Sequence, residues 1–263
     1  MPISAFFSFF ALLIAIFLFW RRSSEEHFDE FRLLDHFFSS LLLSLILARF
    51  TYILLHLTDF AGNFINWIDV FSQPGINFVV VAALWPLILF FLTRKEANNS
   101  IEILDFWAQA ITGALPLFFL GWLLAGSHIG LPTGINFGWH FKGVFEARHP
   151  TQLYAALLYL LLFRFLWKSE YRYRTFSWYQ QSRGTALSGF VFSSYLIFSG
   201  LIWLLLSFFK PAEIVINSFS LEPILALATL LTGAIFLLAR SGLTKAKSKH
   251  QSNNFESTKT SKS

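Results

Sequence analysis

The sequence predicts an all-α, polytopic membrane protein of about seven transmembrane helices, with the N-terminus outside and the C-terminus cytoplasmic. Three observations carry this. The chain of 263 residues is 55% hydrophobic and 13% charged, about half the charged fraction of an average soluble domain. Its apolar residues fall into long runs, each able to cross about 30 Å of hydrocarbon as a helix. Its cations alternate between the connections: fifteen lie on one set and three on the other, which orients the chain by the positive-inside rule.

The first run, residues 3–20, has no basic residue ahead of it and no small-residue cleavage site, so it is assigned as a span rather than a signal peptide. Arg21, Arg22 and Arg32 follow it. The second run, 37–57, contains Arg49 in "LLLSLILARFTYILLHL". A charge at that depth calls for a partner. Two readings are about evenly open: a structural one, as an ion pair or a carbonyl-capping arginine, and an anion site reached from the outer leaflet. Tyr52 lies three residues on, on the same helical face. The third run, 76–93, is followed by Arg94 and Lys95. Glu102 and Asp105 stand at the start of the fourth, 103–126, where acids favour the helix dipole.

The longest outer connection, Ser127 to Pro150, contains Gly130, Pro132, Gly134, Gly138 and Gly143, which exclude a continuous helix. Its aromatics, Phe137, Trp139, Phe141 and Phe145, place it against the membrane interface. Its histidines, His128, His140 and His149, are spaced by 12 and 9 residues, which matches no compact zinc motif. No metal is expected there.

The fifth run, 151–167, opens with Arg148, His149, Pro150, Gln152 and Tyr154. Read alone, Arg148 and His149 are interfacial residues at a helix start, with Pro150 in its first turn. A helix N-terminus also attracts phosphate, and arginine adds a bidentate fork suited to a phosphodiester. The cations of the next connection, Lys168, Arg172, Arg174 and Arg183, are again on the inner side. The sixth and seventh runs are 186–209 and 217–239. Residues 1–240 form one transmembrane domain, and 241–263 a basic, polar, disordered cytoplasmic tail. The net charge of +5 is thus a topology signal and requires no nucleic-acid partner. With no cysteine in the chain, any thiol chemistry uses a thiol brought by a substrate.

"RHPTQLY", Arg148 to Tyr154, resembles the signature of the prolipoprotein diacylglyceryl transferases. "ARFTYIL" is similar to that family's second-span arginine and tyrosine. "GINF", Gly75 to Phe78, resembles the start of its third span, the stretch from Arg94 to Gly130 its third loop and fourth span, and "SFFKPAE" the outer end of its sixth. The resemblance covers about residues 5–240. It implies a seven-span bacterial inner-membrane enzyme that moves a diacylglyceryl group from phosphatidylglycerol to the signal-peptide cysteine of a prolipoprotein. It also implies roles: His128, Arg148 and His149 in catalysis, with His128 replacing a lost cation, and Arg49, Tyr52, Gln152 and Tyr154 in substrate binding. This sequence departs from the family pattern at Val79, where the family has a histidine followed by glycines. It departs also at Leu131 for an asparagine, at Trp203 for an arginine, and at Ala155 for an acid. A paralogue that binds lipid or signal peptides without chemistry is therefore the alternative. A transporter ranks lower, because neither paired repeats nor broken helices are evident.

Overall fold

The computed structural model describes residues 2–60, 67, 69, 75–94, 100–135, 138–180, 188–211, 215–216 and 219–241. Phe137, Glu213, Lys95, Arg183 and all of the tail but Ser241 lie outside them.

Seven long helices occur among these residues. They are α1 (Pro2–Glu25), α2 (Glu30–Leu55), α3 (Phe78–Thr93), α4 (Ser100–Ala125), α5 (Thr151–Gln180), α6 (Phe190–Ser207) and α7 (Glu222–Arg240). Each coincides with one predicted span. Five of them, α1, α2, α4, α6 and α7, are long and apolar enough to cross a membrane. Helix α3 is apolar but has 16 residues, about 24 Å of rise. Helix α5 mixes its apolar stretch with Arg164 and Lys168. A single helical turn, Leu57–Phe60, follows α2, and a two-residue ribbon pairs Val215 with Ser220 and Ile216 with Phe219.

The helix ends show why several predicted boundaries fall short. Asp29 caps α2 by accepting the amide of Arg32 at 3.2 Å, so the helix starts a polar turn or two ahead of its apolar run. Asn77 caps α3, its side chain accepting the amides of Val79 and Val80 at 3.1 and 3.3 Å. In the first turn of α4 the acid is Glu102. Asp105 lies one turn further in and is buried, so the capping role expected of both acids belongs to Glu102 alone. Hydroxyls inside the apolar helices are satisfied on their own helix. Ser40, Ser44, Thr51, Thr93, Ser193 and Thr229 each donate to a carbonyl three or four residues back, the arrangement hydrocarbon favours because it offers no other acceptor.

The chain divides into two compact units, Phe19–Trp107 and Met1–Leu18 with Ala108–Ser263. The first is centred on buried rings. Phe37 of α2 lies 4.7 Å from Phe19 and 5.0 Å from Trp85 of α3, and Trp85 lies 5.7 Å from Trp107, as ring centroids. In the second, Phe119 of α4 stacks on Tyr159 of α5 at 5.6 Å, and Phe165 of α5 meets Phe198 of α6 at 5.3 Å.

Helices α6 and α7 form a hairpin clasped at four levels. A Cβ on Gly200 would fall 2.7 Å from the amide nitrogen of Leu230 and 2.8 Å from the carbonyl of Ala226. One on Gly233 would fall 2.8 Å from the amide nitrogen of Ile197 and 2.9 Å from the carbonyl of Ser193. Small residues let membrane helices approach this closely. At one end Arg240 donates to the carbonyl of Ser188 at 2.8 Å. At the other, Lys210 pairs with Glu222 at 3.1 Å, the carboxylate being 3% exposed.

Candidate active site at the start of α5

Helix α4 ends in a Schellman arrangement. The amide of Gly126 donates to Leu123 at 3.1 Å and that of Ser127 to Trp122 at 3.0 Å, with Gly126 left-handed at φ 65°. His128 is also left-handed, at φ 54°. The reversal leaves the carbonyls of Ser127, His128 and Gly130 to side chains of "RHPTQLY". Nε2 of Gln152 donates to the carbonyl of Ser127 and, at 2.7 Å, to that of His128. The Thr151 hydroxyl approaches the His128 carbonyl at 3.5 Å. Nη1 of Arg148 donates to the carbonyl of Gly130 at 3.2 Å.

The backbone around Arg148 is held from two sides. It exchanges both bonds with Trp139, at 2.8 and 3.0 Å, while Thr133 donates to Ala147 at 2.8 Å and His149 to Leu131 at 3.0 Å. The amide of Leu131 donates to the carbonyl of Phe209 at 2.8 Å, which ties this loop to the end of α6. Gly130 is needed where these segments meet. A Cβ there would overlap the carbonyl of His149 and lie 2.9 Å from that of Phe209. Pro150 stands just ahead of α5 rather than in its first turn, and its carbonyl accepts the amides of Leu153 and Tyr154 at 2.9 and 3.2 Å.

The side chains then take distinct positions. The guanidinium of Arg148 is partly buried, with Glu146 at 4.0 Å and its Nε buried without a hydrogen-bond partner. His149 packs its ring 5.1 Å from that of Phe209, and its Nδ1 is 3.5 Å from the Tyr154 hydroxyl. The exposed imidazole of His128 stacks on the indole of Trp122. Gln152 is 2% exposed. Five of the predicted site residues, His128, Arg148, His149, Gln152 and Tyr154, are thus brought together.

Arg49 and Tyr52 form a cluster within the Phe19–Trp107 unit. Arg49 lies six residues before the end of α2, about 9 Å down. Its Nε donates to the carbonyl of Trp67 at 3.3 Å and its Nη1 to that of Gly75 at 2.9 Å. The guanidinium carbon sits 5.1 Å from the ring centroid of Phe60 and 6.0 Å from that of Tyr52. Tyr52 in turn stacks on His56 at 4.3 Å. Of the readings open for Arg49, carbonyl capping is the one these bonds display.

Sequence reasoning did not single out Thr151, Trp122, Phe209 or the Lys210–Glu222 pair. Glu222 gave the one available signal, an acid beside an apolar run.

The helices define a multi-pass helical membrane protein, with polar side chains concentrated at the mouth of α5. The chain belongs to the prolipoprotein diacylglyceryl transferase family, whose sequence profile matches residues 4–239. It is similar to the phosphatidylglycerol–prolipoprotein diacylglyceryl transferase of Clostridium tetani (strain Massachusetts / E88), with 26% identity over 206 residues, 76% of each chain.

Proposed function

We propose that this protein transfers the diacylglyceryl group of phosphatidylglycerol to the signal-peptide cysteine of prolipoproteins, in the bacterial cytoplasmic (inner) membrane. The cysteine sulfur attacks the diacylglyceryl carbon that carries the phosphate. A carbon–sulfur bond forms, the carbon–oxygen bond breaks with its electron pair staying on oxygen, and glycerol phosphate leaves. The thiol proton passes to a base or to solvent. The chain requires no cofactor or metal for this, and with no cysteine of its own it receives the thiol from the second substrate.

The observation that carries this reading is the cluster at the start of α5. Arg148 presents a guanidinium with an unpartnered Nε–H beside a helix N-terminus, a combination suited to a phosphodiester and to the charge gained by the departing phosphate. Cations at the site also favour the thiolate, the nucleophilic form. In this reading His128, on Trp122, takes the place of a cation the family pattern has there, and His149, braced by Phe209 and Tyr154, offers an imidazole for the proton.

One observation favours the alternative of a binding paralogue without chemistry. Val79, in the first turn of α3, has no titratable group where the family has a histidine. Complementation of a strain depleted of its own transferase separates the two. Growth with thioether-linked lipoprotein supports the enzyme. Stable, membrane-inserted protein without thioether product supports the paralogue.

A further inference from the structure

We infer that Gln152 is a specificity-determining residue, whose Oε1 accepts a hydrogen bond from a hydroxyl of the phosphodiester headgroup while Nε of Arg148 donates to a phosphate oxygen. This rests on the transferase reading above and deepens it by naming how the headgroup is read.

The two ends of the Gln152 amide are in different situations. Nε2 is engaged by two carbonyls, of Ser127 and His128. That fixes the amide's orientation, because a flip would set Oε1 against two acceptors. Oε1 is then buried with no hydrogen-bond partner among the described residues. A buried acceptor left unpaired is costly, and native proteins rarely keep one without a use. Four residues earlier Nε of Arg148 is a buried donor in the same condition. Both side chains grip one short turn, Ser127 to Gly130, so one unmatched acceptor and one unmatched donor belong to a single braced assembly at a helix N-terminus. The complementary ligand donates through a hydroxyl and accepts through an anionic oxygen. A hydroxylated phosphodiester does both. An ammonium headgroup also donates, but it brings a second positive charge to the guanidinium. A choline headgroup has no donor. Sites built around a hydroxyl discriminate strongly against analogues that lack it, because their own polar group is then left unpaired.

The test uses the full chain purified in detergent, with short-chain phosphatidylglycerol and short-chain phosphatidylpropanol, which keeps the phosphodiester and lacks both headgroup hydroxyls. The parent is expected to bind the first about tenfold more tightly. Gln152→Lys keeps a donor for the Ser127 and His128 carbonyls and removes the acceptor. Its ammonium is a second cation beside Arg148 at a buried position, so it is expected to melt below the parent, and to bind both lipids alike. Gln152→Leu removes donor and acceptor together, and is expected to lose the preference and also melt lower. Glycerol 1-phosphate is the third probe. If it binds as tightly as the lipid, with the same dependence on Gln152, the hydroxyl read is that of the departing phosphate rather than of the intact lipid. Equal binding of the two lipids by the parent, or a preference retained in Gln152→Lys, overturns the inference and leaves the transferase reading standing. A parent that binds neither lipid removes that reading itself.

Discussion

The imidazole of His128 lies face-on to the indole of Trp122, with centroids 4.0 Å apart and an interplanar angle of 27°. The pair sets an exposed ring beside the α5 mouth. The backbone at His128 is left-handed, a conformation glycine adopts freely. His128→Gly should therefore keep the fold and lose only the ring. Thioether formation on a synthetic prolipoprotein peptide should fall about tenfold, a loss of ~1.4 kcal/mol in transition-state stabilisation. Unchanged turnover would remove His128 from the chemistry.

Arg148→Ala should weaken phosphatidylglycerol binding by about 1.5–3 kcal/mol, the range for a hydrogen bond to a charged group. Arg148→Lys should recover part of this, since lysine lacks the fork. Lipid titration in nanodiscs gives the comparison. Equal affinity in parent and both variants would leave "RHPTQLY" as a packing and helix-start motif.

Arg49 predicts a stability effect first. Without its guanidinium the carbonyls of Trp67 and Gly75 lose a donor, at about 1–3 kcal/mol for each that stays buried and unpaired. Arg49→Leu should insert into the membrane, melt lower in detergent and bind lipid less well. A variant that melts above the parent while binding lipid normally would mean that the charge is only a tolerated cost.

The orientation of the spans is open to direct measurement. A reporter fused after Ala239 should read cytoplasmic, and one inserted near Trp139 should read outside. The reverse pattern would put the α5 mouth on the cytoplasmic face and sink the site proposed there.

What the sequence made legible follows from what each signal measures. Apolar runs locate all seven helices, yet the second run starts at residue 37 while α2 begins at Glu30. Hydropathy senses the hydrocarbon slab, whereas a cap such as Asp29 sets the helix end. The fifth run was likewise read to 167, and α5 continues to Gln180. The polar residues at the α5 mouth stood out against the apolar run behind them. Their partners did not, because Arg49, Arg148 and Gln152 all bind backbone carbonyls, and every residue type has one. Which carbonyls turn inward depends on local conformation, such as the positive φ of His128, and no residue-type pattern encodes that.

The four clasps of the α6–α7 hairpin bear on how the site can respond to its substrates. Arg240 and Ser188 fasten one end, Lys210 and Glu222 the other, and two glycine contacts lock the middle. Such a pair is expected to move as a single lever rather than to bend along its seam. Phe209 is the lever's tip, with its carbonyl on Leu131 and its ring against His149. A substitution at Arg240, at the far end of the hairpin, is therefore expected to be felt at the α5 mouth.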